Sequence, residues 1–295
     1  MFIKGYASLE GKALNEVFKL ERICNEYDNL QGSMFLDPSL NFDQGIKTVF
    51  LLYEHCELIS MLSMFIPTQL EAEITGYTLP KYRGNGYFKA LLTKAVDELR
   101  KFHIAELLFV CETQSKAGKE VIKALKANYE HTEYFMRLDL GRYKNRNVST
   151  SGERLLLMRS GLDDLEKVIE TSVRAFDEPY EDAKSRIENC LRSGTREQYL
   201  ALLNGERIGL AATNYDDEVG SIFGFGIVPE HRGKGYGEEL LNLIVNCLKQ
   251  GGKTEITLDV NSENEQALGL YKKLGFRVEV AYEYYRQESS SVHLN

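Results

Sequence analysis

The chain has 295 residues, of which 27% are charged and 43% apolar, a composition typical of a globular protein with two domains. No apolar run is long enough to span a bilayer and the first residues lack a signal-peptide core, so we expect a cytoplasmic protein without a membrane partner. Residues 1–147 carry 19 acidic and 19 basic side chains, so the net charge of −8 lies in residues 148–295 and argues against a nucleic-acid partner. This charge would attract a cationic substrate, although a solvated acidic surface explains it equally well.

The first half of the chain alternates helical and extended patterns. Apolar periodicity predicts a helix over residues 14–26 and strands over 47–53, 58–66 and 71–79. Residues 100–110 pass from the end of a second helix into a further strand. This alternation is typical of an α/β protein.

The second half begins after a polar stretch without periodicity, residues 142–152, which we interpret as a linker. It separates a predicted first domain, residues 1–147, from a second, residues 153–295. The predicted elements that follow are a strand over 154–159, a helix starting at Asp163 and Asp164, a helix over 182–192, and a hairpin of 198–203 and 207–214 around Asn204-Gly205.

A short buried strand over residues 222–228 then leads into a glycine loop. Pro229 ends this strand, because proline cannot donate to a sheet ladder. The loop places three alternate glycines between Arg232 and Gly237. The helix predicted after this loop has one apolar face, formed by Leu240, Leu241, Ile244, Val245 and Leu248. A strand, a glycine loop and a helix N-terminus together favour phosphate binding, because converging amides and the helix dipole attract an anion.

Two common phosphate motifs do not fit. Glu238 stands where a dinucleotide fingerprint needs its third glycine, and Gly252-Lys253-Thr254 precedes a strand instead of following one. The spacing R-x-x-G-x-G resembles motif A of the GNAT superfamily of acetyltransferases, whose loop holds the pyrophosphate of acetyl-CoA. A tight glycine turn that serves only helix packing is the alternative. The resemblance implies that these residues bind acetyl-CoA: Arg232, Gly233, Lys234, Gly235, Tyr236 and Gly237.

The same motif occurs earlier in the chain. Over the twenty residues that start at Pro80 and at Pro229, nine pairs are identical, and the strands after them, 106–110 and 255–259, also correspond. We therefore expect two tandem GNAT-like domains of mixed α/β class, each a mostly antiparallel sheet flanked by helices.

The first copy lacks features that the resemblance makes important. The second copy has one extra residue near Gly226–Val228, which indicates a β-bulge or a difference in loop length. In the GNAT superfamily the amides freed by this bulge hold the acetyl group, which here implies Ile227 and Val228. Phe88 stands where Gly237 closes the second loop, and a phenylalanine there would obstruct a pyrophosphate. We interpret the first copy as degenerate and non-catalytic, and expect it to close the substrate cleft.

A late helix carries the candidate acid. Ser262 and Glu265 form a capping box in the sequence, which predicts a helix that stops at Gly275. The series Asn264, Ala267, Tyr271, Gly275 and Phe276 resembles the N-x-x-A-x-x-x-Y…G-F pattern of the same superfamily. The resemblance implies that Asn264 contacts the cofactor and that the Tyr271 hydroxyl protonates the departing CoA thiolate. Tyr271 also lies on an apolar helical stripe, so packing in the core is the alternative. The first copy has Ile122 at the aligned position.

These features predict an N-acetyltransferase that passes acetyl from acetyl-CoA directly to a primary amine within a ternary complex. The amine belongs to a small molecule or a peptide, and we expect a monomer or a homodimer. The general base is left open among Glu178, Asp216, Asp217 and Glu218. The alternatives are a non-catalytic acyl-CoA sensor or assembly module and a protein in which both domains are active.

Other chemistry is not favoured. The five cysteines are scattered, which suggests reduced, buried thiols, and no Cys/His cluster has metal-ligand spacing, so we expect no metal. An acetyl-cysteine intermediate is disfavoured because Cys247 lies in the apolar part of a helix and no cysteine neighbours a candidate histidine base.

Overall fold

The computed structural model describes residues 1–140, 143 and 155–291. The described chain forms two compact units. Unit 1 comprises Met1–Glu133 and Val280–Asn295, and unit 2 comprises Tyr134–Glu279. The predicted linker over 142–152 lies outside the described residues except for Tyr143, and so does the first residue of the strand predicted over 154–159.

Helices and strands alternate along the whole described chain. The strands are β1 Phe2–Tyr6, β2 Val49–Glu54, β3 Glu57–Phe65, β4 Glu71–Thr78, β5 Glu106–Glu112, β6 Asn128–Leu138, β7 Leu156–Ser160, β8 Arg196–Leu203, β9 Glu206–Asp216, β10 Val219–Ile227, β11 Glu255–Asn261 and β12 Phe276–Glu288. The α-helices are α1 Gly11–Asp28, α2 Tyr87–Lys101, α3 Lys116–Leu125, α4 Leu165–Phe176, α5 Tyr180–Arg192, α6 Tyr236–Gln250 and α7 Glu265–Leu274. In the described residues no helix is both long and apolar enough to cross a bilayer.

Unit 1 is a mixed sheet with strand order β1-β2-β3-β4-β5-β12. Its paired neighbours run antiparallel except β4 and β5, which are parallel across Glu71–Ile74. Both α1 and α2 pack on this sheet. Leu91, Leu92 and Leu99 of α2 are completely buried, because helical spacing places them on the side that faces the strands.

Unit 2 repeats this plan with strand order β6-β11-β10-β9-β8-β7. The β8–β9 hairpin turns at Asn204 and Gly205, whose φ angles of 51° and 87° are those of the predicted two-residue turn. The apolar face predicted for the helix after the glycine loop is buried along α6. The predicted fold class, a mixed and mostly antiparallel sheet flanked by helices, is confirmed.

The two faces of the unit 2 sheet are covered by different helices. A Cβ placed on Gly226 of β10 would lie 2.8 Å from the ring of Phe176, so α4 covers that face. A Cβ placed on Gly209 would lie 2.7 Å from Ile227 and 3.5 Å from Leu240, so α6 covers the other. Successive residues of β10 near its end therefore point to opposite helical layers.

The compact units end at different residues from the predicted domains 1–147 and 153–295. Unit 1 contains the last residues of the chain, because β12 pairs antiparallel with β5 from Tyr282 opposite Glu112 to Glu288 opposite Glu106. The assignment of one domain as degenerate and the other as catalytic stays a prediction. Strand β1 was not predicted from the sequence.

One predicted helix start is wrong. Helix α7 begins at Glu265 with Asn264 as its N-cap, and Asn264 Oδ1 accepts a hydrogen bond of 3.1 Å from the Ala267 amide. Ser262 therefore does not cap this helix. An Asn side chain caps a helix as well as Ser does, so the sequence was compatible with a cap at either Ser262 or Asn264. The predicted end at Gly275 is confirmed, with a φ of 106°.

Ending the chain after Glu279 should unfold the β5 region while unit 2 stays folded. Seven residue pairs between β12 and β5 would be lost, and each backbone hydrogen bond contributes about 0.5–1.5 kcal/mol net. Hydrogen exchange followed by mass spectrometry should show lost protection in Glu106–Glu112 and retained protection in β9. A chain ending after Ser291 is the control. Unchanged protection of β5 in the shorter chain would contradict the assignment of the last strand to unit 1.

Candidate functional site

The site of unit 2 begins where β10 leaves β11. The two strands pair in parallel only from Val219 opposite Glu255 to Ile222 opposite Leu258. Beyond Ile222, β10 continues to Ile227 beside β9 alone. One edge of β10 is therefore open over its last five residues, a gap that a ligand's polar groups can enter.

A β-bulge lies on this open stretch. The register with β9 shifts between Phe223, opposite Ala212, and Gly226, opposite Leu210, so β10 has one extra residue there. Gly224 within it has a φ of 53°, which favours glycine. The bulge alternative of the sequence analysis is confirmed, slightly earlier in the strand than expected. The equivalent pairing of β3 with β4 in unit 1 runs without a shift.

The bulge determines which amides face the gap. The Val228 N–H donates to the carbonyl of Ile208 at 2.9 Å, so it points towards β9. Because successive amides of a strand point to opposite edges, the Ile227 N–H points away from β9 into the gap. This geometry corrects the expectation for Val228, whose amide is already used, and leaves Ile227 as the amide donor.

The glycine loop leads directly into α6 without a side-chain cap. Gly233 and Gly235 have φ values of 74° and 91°, and Gly235 is the N-cap of the helix. Within the described part of the chain, no side chain accepts from the first amides of α6. Tyr236, Gly237 and Glu238 therefore offer N–H groups at the positive end of the helix dipole. These amides fit a phosphate group.

Arg232 does not belong to this anion-binding surface. Its Nε donates to the Ile227 carbonyl at 2.9 Å, its Nη2 to the Ala175 carbonyl at 2.5 Å, and its own amide to Pro229. Arg232 therefore braces the loop against α4 and β10. Lys234 is exposed and remains the cationic side chain of the loop. The Tyr236 ring is buried in the core, so this residue offers only its amide.

Gly237 marks the point where α6, β10 and α7 meet. A Cβ placed there would lie 3.5 Å from Leu270 and 3.9 Å from Ile227, which are ordinary contact distances. The protein itself therefore has room for a small side chain at this position. In unit 1, Phe88 occupies the equivalent place, and its ring lies 2.7 Å from where a Cβ of Gly76 would stand. The Phe88 ring therefore packs against β4, beside the gap of its own unit.

Tyr271 on α7 lies beside the bulge. Its ring is 6.1 Å from that of Phe225 and 5.8 Å from that of Phe276, and the residue is 5% exposed. Burial raises the pKa of its hydroxyl to about 12, so the phenol is protonated near neutral pH. Tyr271 is part of the core and also carries an acidic proton next to the open edge of β10. The Asn264 carbonyl oxygen is engaged as the cap of the same helix.

The four candidate bases lie at opposite ends of β10. Asp216, Asp217 and Glu218 are at the turn before Val219, more than about 20 Å along the strand from Ile227. Glu178 is close to the bulge. Its Oε1 accepts from Ser172 Oγ at 2.6 Å and from Arg186 Nη2 at 2.5 Å, and Arg186 Nη1 lies 3.4 Å from where a Cβ of Gly224 would stand.

Sequence reasoning did not identify Ser172 and Arg186. They belong to two different helices, α4 and α5, and contact each other through Glu178. The sequence has no local signal for this contact, since helix pairing alone brings the three together. An Arg–Glu pair near the end of a helix is common and would not have marked a site.

In unit 1 the segment after α1 is tied to the carboxyl end of β5. The Glu112 carboxylate accepts from the amides of Gln31 and Gly32 at 3.1 and 3.0 Å. Gly32 has no space for a side chain, because a Cβ there would lie 2.3 Å from the Tyr282 hydroxyl. Ile122 is buried on α3 and supplies no hydroxyl. Unit 1 therefore has the fold of unit 2. Near its equivalent gap lie the Phe88 ring and a Glu112 carboxylate that is already hydrogen-bonded within the unit.

The remaining chemistry of the described residues is limited. They contain no group of three or more His, Cys, Asp or Glu side chains that could hold a metal ion. The five cysteines are free, but only Cys24 and Cys190 are buried and Cys56 is exposed, which corrects the expectation of buried thiols. Burial raises the pKa of the Cys247 thiol, which disfavours it as a nucleophile.

An open strand edge, a helix N-terminus with free amides and a buried phenol are grouped around one point of unit 2. Together they form a site that fits a phosphate group and a carbonyl oxygen. The chain belongs to the acetyltransferase (GNAT) family, whose model matches residues 14–127 and 164–276. Members of this family use acetyl-CoA, and the match to both halves confirms the tandem arrangement.

Solved structures share this fold over nearly the whole chain. A GCN5-related N-acetyltransferase from Sphaerobacter thermophilus has a TM-score of 0.75 at 18% identity, covering 98% of this chain and 95% of its own. A tandem GNAT protein from the clavulanic acid biosynthesis pathway has a TM-score of 0.71 at 14% identity, covering 98% and 99%. A putative acetyltransferase from Pyrococcus horikoshii has a TM-score of 0.59 at 16% identity, covering 97% and 89%. At these identities the similarity concerns the fold.

The two cationic residues of the loop should have separable roles. Arg232→Met should lower the stability of unit 2 by about 1–3 kcal/mol, because two buried carbonyls lose a charged donor. Lys234→Met should leave the melting temperature unchanged and reduce both the affinity for coenzyme A and its dependence on salt. Thermal melting and calorimetry at two salt concentrations measure these effects. Equal stability of both variants would contradict the bracing role of Arg232.

Proposed function

We propose that unit 2 transfers the acetyl group of acetyl-CoA to a primary amine by direct attack within a ternary complex. The observation that carries this proposal is the grouping of the Ile227 amide, the first amides of α6 and the Tyr271 phenol around one open strand edge. A phosphate at the helix N-terminus and a carbonyl at the strand edge are the two attachment points that an acyl-CoA requires.

The proposed step balances as follows. The amine nitrogen bonds to the thioester carbonyl carbon, and the negative charge that forms on the oxygen is stabilised by the Ile227 N–H. The carbon–sulfur bond then breaks while the nitrogen gives up one proton to water. The thiolate takes the proton of the Tyr271 hydroxyl, which is restored from water. One such amide donor is worth about 10²–10³ in rate.

The acidity of Tyr271 is adequate for this role. In water a thiol has a pKa of about 8.5, well below that of this phenol, so full transfer would be unfavourable there. Near Tyr271 the thiolate would lose its hydration too, as it does for Cys24, where burial raises the thiol pKa to about 11. The two acidities are then nearly matched, which favours proton transfer as the bond to sulfur breaks.

We also propose that each chain takes up one acetyl-CoA, in unit 2. In unit 1 the helix after the glycine loop carries Phe88 in its first turn, the strand has no bulge, and Ile122 replaces the phenol. Activity of both units is therefore the less favoured alternative.

A non-catalytic acyl-CoA sensor is the second candidate function. It would use the same amides, and the buried position of Tyr271 is compatible with a purely structural tyrosine. Catalysis distinguishes the two, since only the enzyme depends on the hydroxyl of a ring whose packing a phenylalanine would preserve.

Tyr271→Phe should keep the affinity for acetyl-CoA within twofold and lower kcat by about 10²-fold, because a general acid contributes about 10²–10⁴ in rate. Turnover should be followed by thiol release with a panel of primary amines, and binding by calorimetry. Tyr215→Phe, which removes a hydroxyl elsewhere in the same unit, is the matched control. Equal kcat for wild type and Tyr271→Phe would refute the acid role. A wild type that binds acetyl-CoA without turnover would favour the sensor.

Gly237→Phe copies the unit 1 residue into the unit 2 loop and should abolish uptake of coenzyme A, measured as stoichiometry by calorimetry. The reason is steric, because the ring would enter the open edge of β10, as the Phe88 ring packs against β4 in unit 1. Gly237→Ala should fold normally, given 3.5 Å to Leu270, and bind more weakly. The matched control, Phe88→Leu, should leave one site per chain. Two sites in the wild type, or loss of binding only in Phe88→Leu, would contradict the assignment to unit 2.

A further inference from the structure

We propose that Glu178 accepts the proton of the acceptor amine in unit 2, and that Ser172 and Arg186 are positioning residues that hold its carboxylate. This inference rests on the proposed acetyl transfer and adds the side of the site from which the amine attacks. It also selects one of the four carboxylates that the sequence left open.

The contacts of Glu178 leave one oxygen available. Ser172 Oγ and Arg186 Nη2 both donate to Oε1, at 2.6 and 2.5 Å. Among the described residues no donor binds Oε2. The side chain is 20% exposed, so the carboxylate is held in place while its second oxygen can reach a ligand or a water molecule. A carboxylate fixed through one oxygen is suited to receive a proton on the other.

The position of Glu178 follows from the end of α4. This helix ends at Phe176. The next residue, Asp177, is its C-cap, and its φ of 54° turns the chain sharply before Glu178. The preceding Phe176 packs against Gly226, and the guanidinium that holds Glu178 stands over Gly224. Both glycines belong to the bulged part of β10. The carboxylate is thus anchored beside the bulge, on the face that α4 covers.

Tyr271 lies on the other side of the same strand. It contacts Phe225 and sits on α7, which meets the α6 layer at Gly237. An acid on one face and a proton acceptor on the other match the needs of the reaction, since the amine attacks from one side and the thiolate leaves on the other. Gly224 and Gly226 have no side chains, so at these positions only the backbone of β10 separates the Tyr271 side from the Glu178 side.

The charged groups around Glu178 come from three elements. They are Arg186 on α5, Asp177 next to Glu178 in the chain, and the Tyr180 hydroxyl, which donates to Glu166 on α4. Arg186 is the cation in contact with Glu178, and it binds Oε1, which leaves Oε2 for the proton.

The proton transfer is balanced. The acceptor enters as an ammonium ion and gives one proton to Oε2 of Glu178, directly or through one water molecule. The nitrogen lone pair then attacks the thioester carbon, and the nitrogen gives its second proton to water as the carbon–sulfur bond breaks. Glu178 returns its proton to water after the product leaves, while Tyr271 supplies the separate proton that the thiolate needs.

Glu178→Gln should lower kcat/KM for strongly basic primary amines by about 10²-fold near neutral pH, the effect of losing a general base. The affinity for acetyl-CoA should stay unchanged. The loss should shrink as the pH rises towards the amine pKa, and for weakly basic acceptors such as hydroxylamines, because these are already deprotonated. Asp217→Asn, at the other end of β10, is the matched control and should retain full activity.

The positioning residues need a readout beyond stability. Ser172→Ala and Arg186→Met should lower kcat more than they raise KM and should show the same dependence on amine basicity, while Arg186→Lys should restore part of the activity. Melting curves identify any variant that is simply misfolded.

Two results would overturn the inference while leaving acetyl transfer intact. One is wild-type kcat/KM in Glu178→Gln, and the other is a loss of equal size for strongly and weakly basic amines. A wild type that acetylates no amine would overturn the proposed function, and this inference with it. The wild-type assay therefore separates the two failures.

Discussion

The hydrogen bonding of β10 is the constraint on which the site depends. The strand shares only four residue pairs with β11, and a bulge then breaks its register with β9. A strand amide that lacks a partner costs about 1–3 kcal/mol when it is buried. Unit 2 retains such an amide at Ile227, held in place by the packing of α6 and by Arg232 on the Ile227 carbonyl. A ligand carbonyl that enters the gap would accept a hydrogen bond from this amide and remove that cost. The proposed binding site is therefore a missing strand pairing that the surrounding packing maintains.

In unit 1 the equivalent strand β4 has no bulge, and the unit's own side chains pack beside the equivalent gap. The parallel pairing of β4 with β5 also spans four residues, but β4 stays in register with β3 and the Phe88 ring packs on Gly76. At the carboxyl end of β5, the Glu112 carboxylate satisfies two amides of the segment after α1. Unit 1 thus uses its own carboxylate and aromatic ring around the end of β5 and on β4. The apolar core needs no change for this, which is why the helix residues of the two copies remain so similar.

Features encoded by neighbouring residues were predictable from the sequence. The glycine loop, the apolar face of α6 and the Asn204-Gly205 turn each depend on backbone freedom or helical spacing within a few residues. The bulge was visible only because the two copies could be compared. Features that depend on distant pairing were not predictable, among them the partner of β12 and the contact between Ser172 and Arg186. The amide of Val228 falls between these cases, because one residue of register decides whether it faces β9 or the gap.

Comparison of the two units separates the motif residues that build the fold from those that build the site. Arg83 and Arg232 are both retained, and their Nε atoms donate to equivalent carbonyls, those of Thr78 and Ile227. Each also ties the loop to the first part of its unit, Arg83 through Asp28 and Arg232 through the Ala175 carbonyl. Unit 1 has this arginine although side chains fill its gap. We therefore infer that the arginine stabilises the loop in both units.

Gly237 and Tyr271 have no counterpart in unit 1, where the same fold forms with Phe88 and Ile122 at these positions. A Cβ fits at Gly237, and Ile122 fills the core position that corresponds to Tyr271. Unit 1 folds without these two residues, so we infer that their role in unit 2 is to bind a ligand. By this criterion we propose that the function of unit 2 depends on the lack of a side chain at Gly237, on the Tyr271 hydroxyl and on the Ile227 amide that faces the gap.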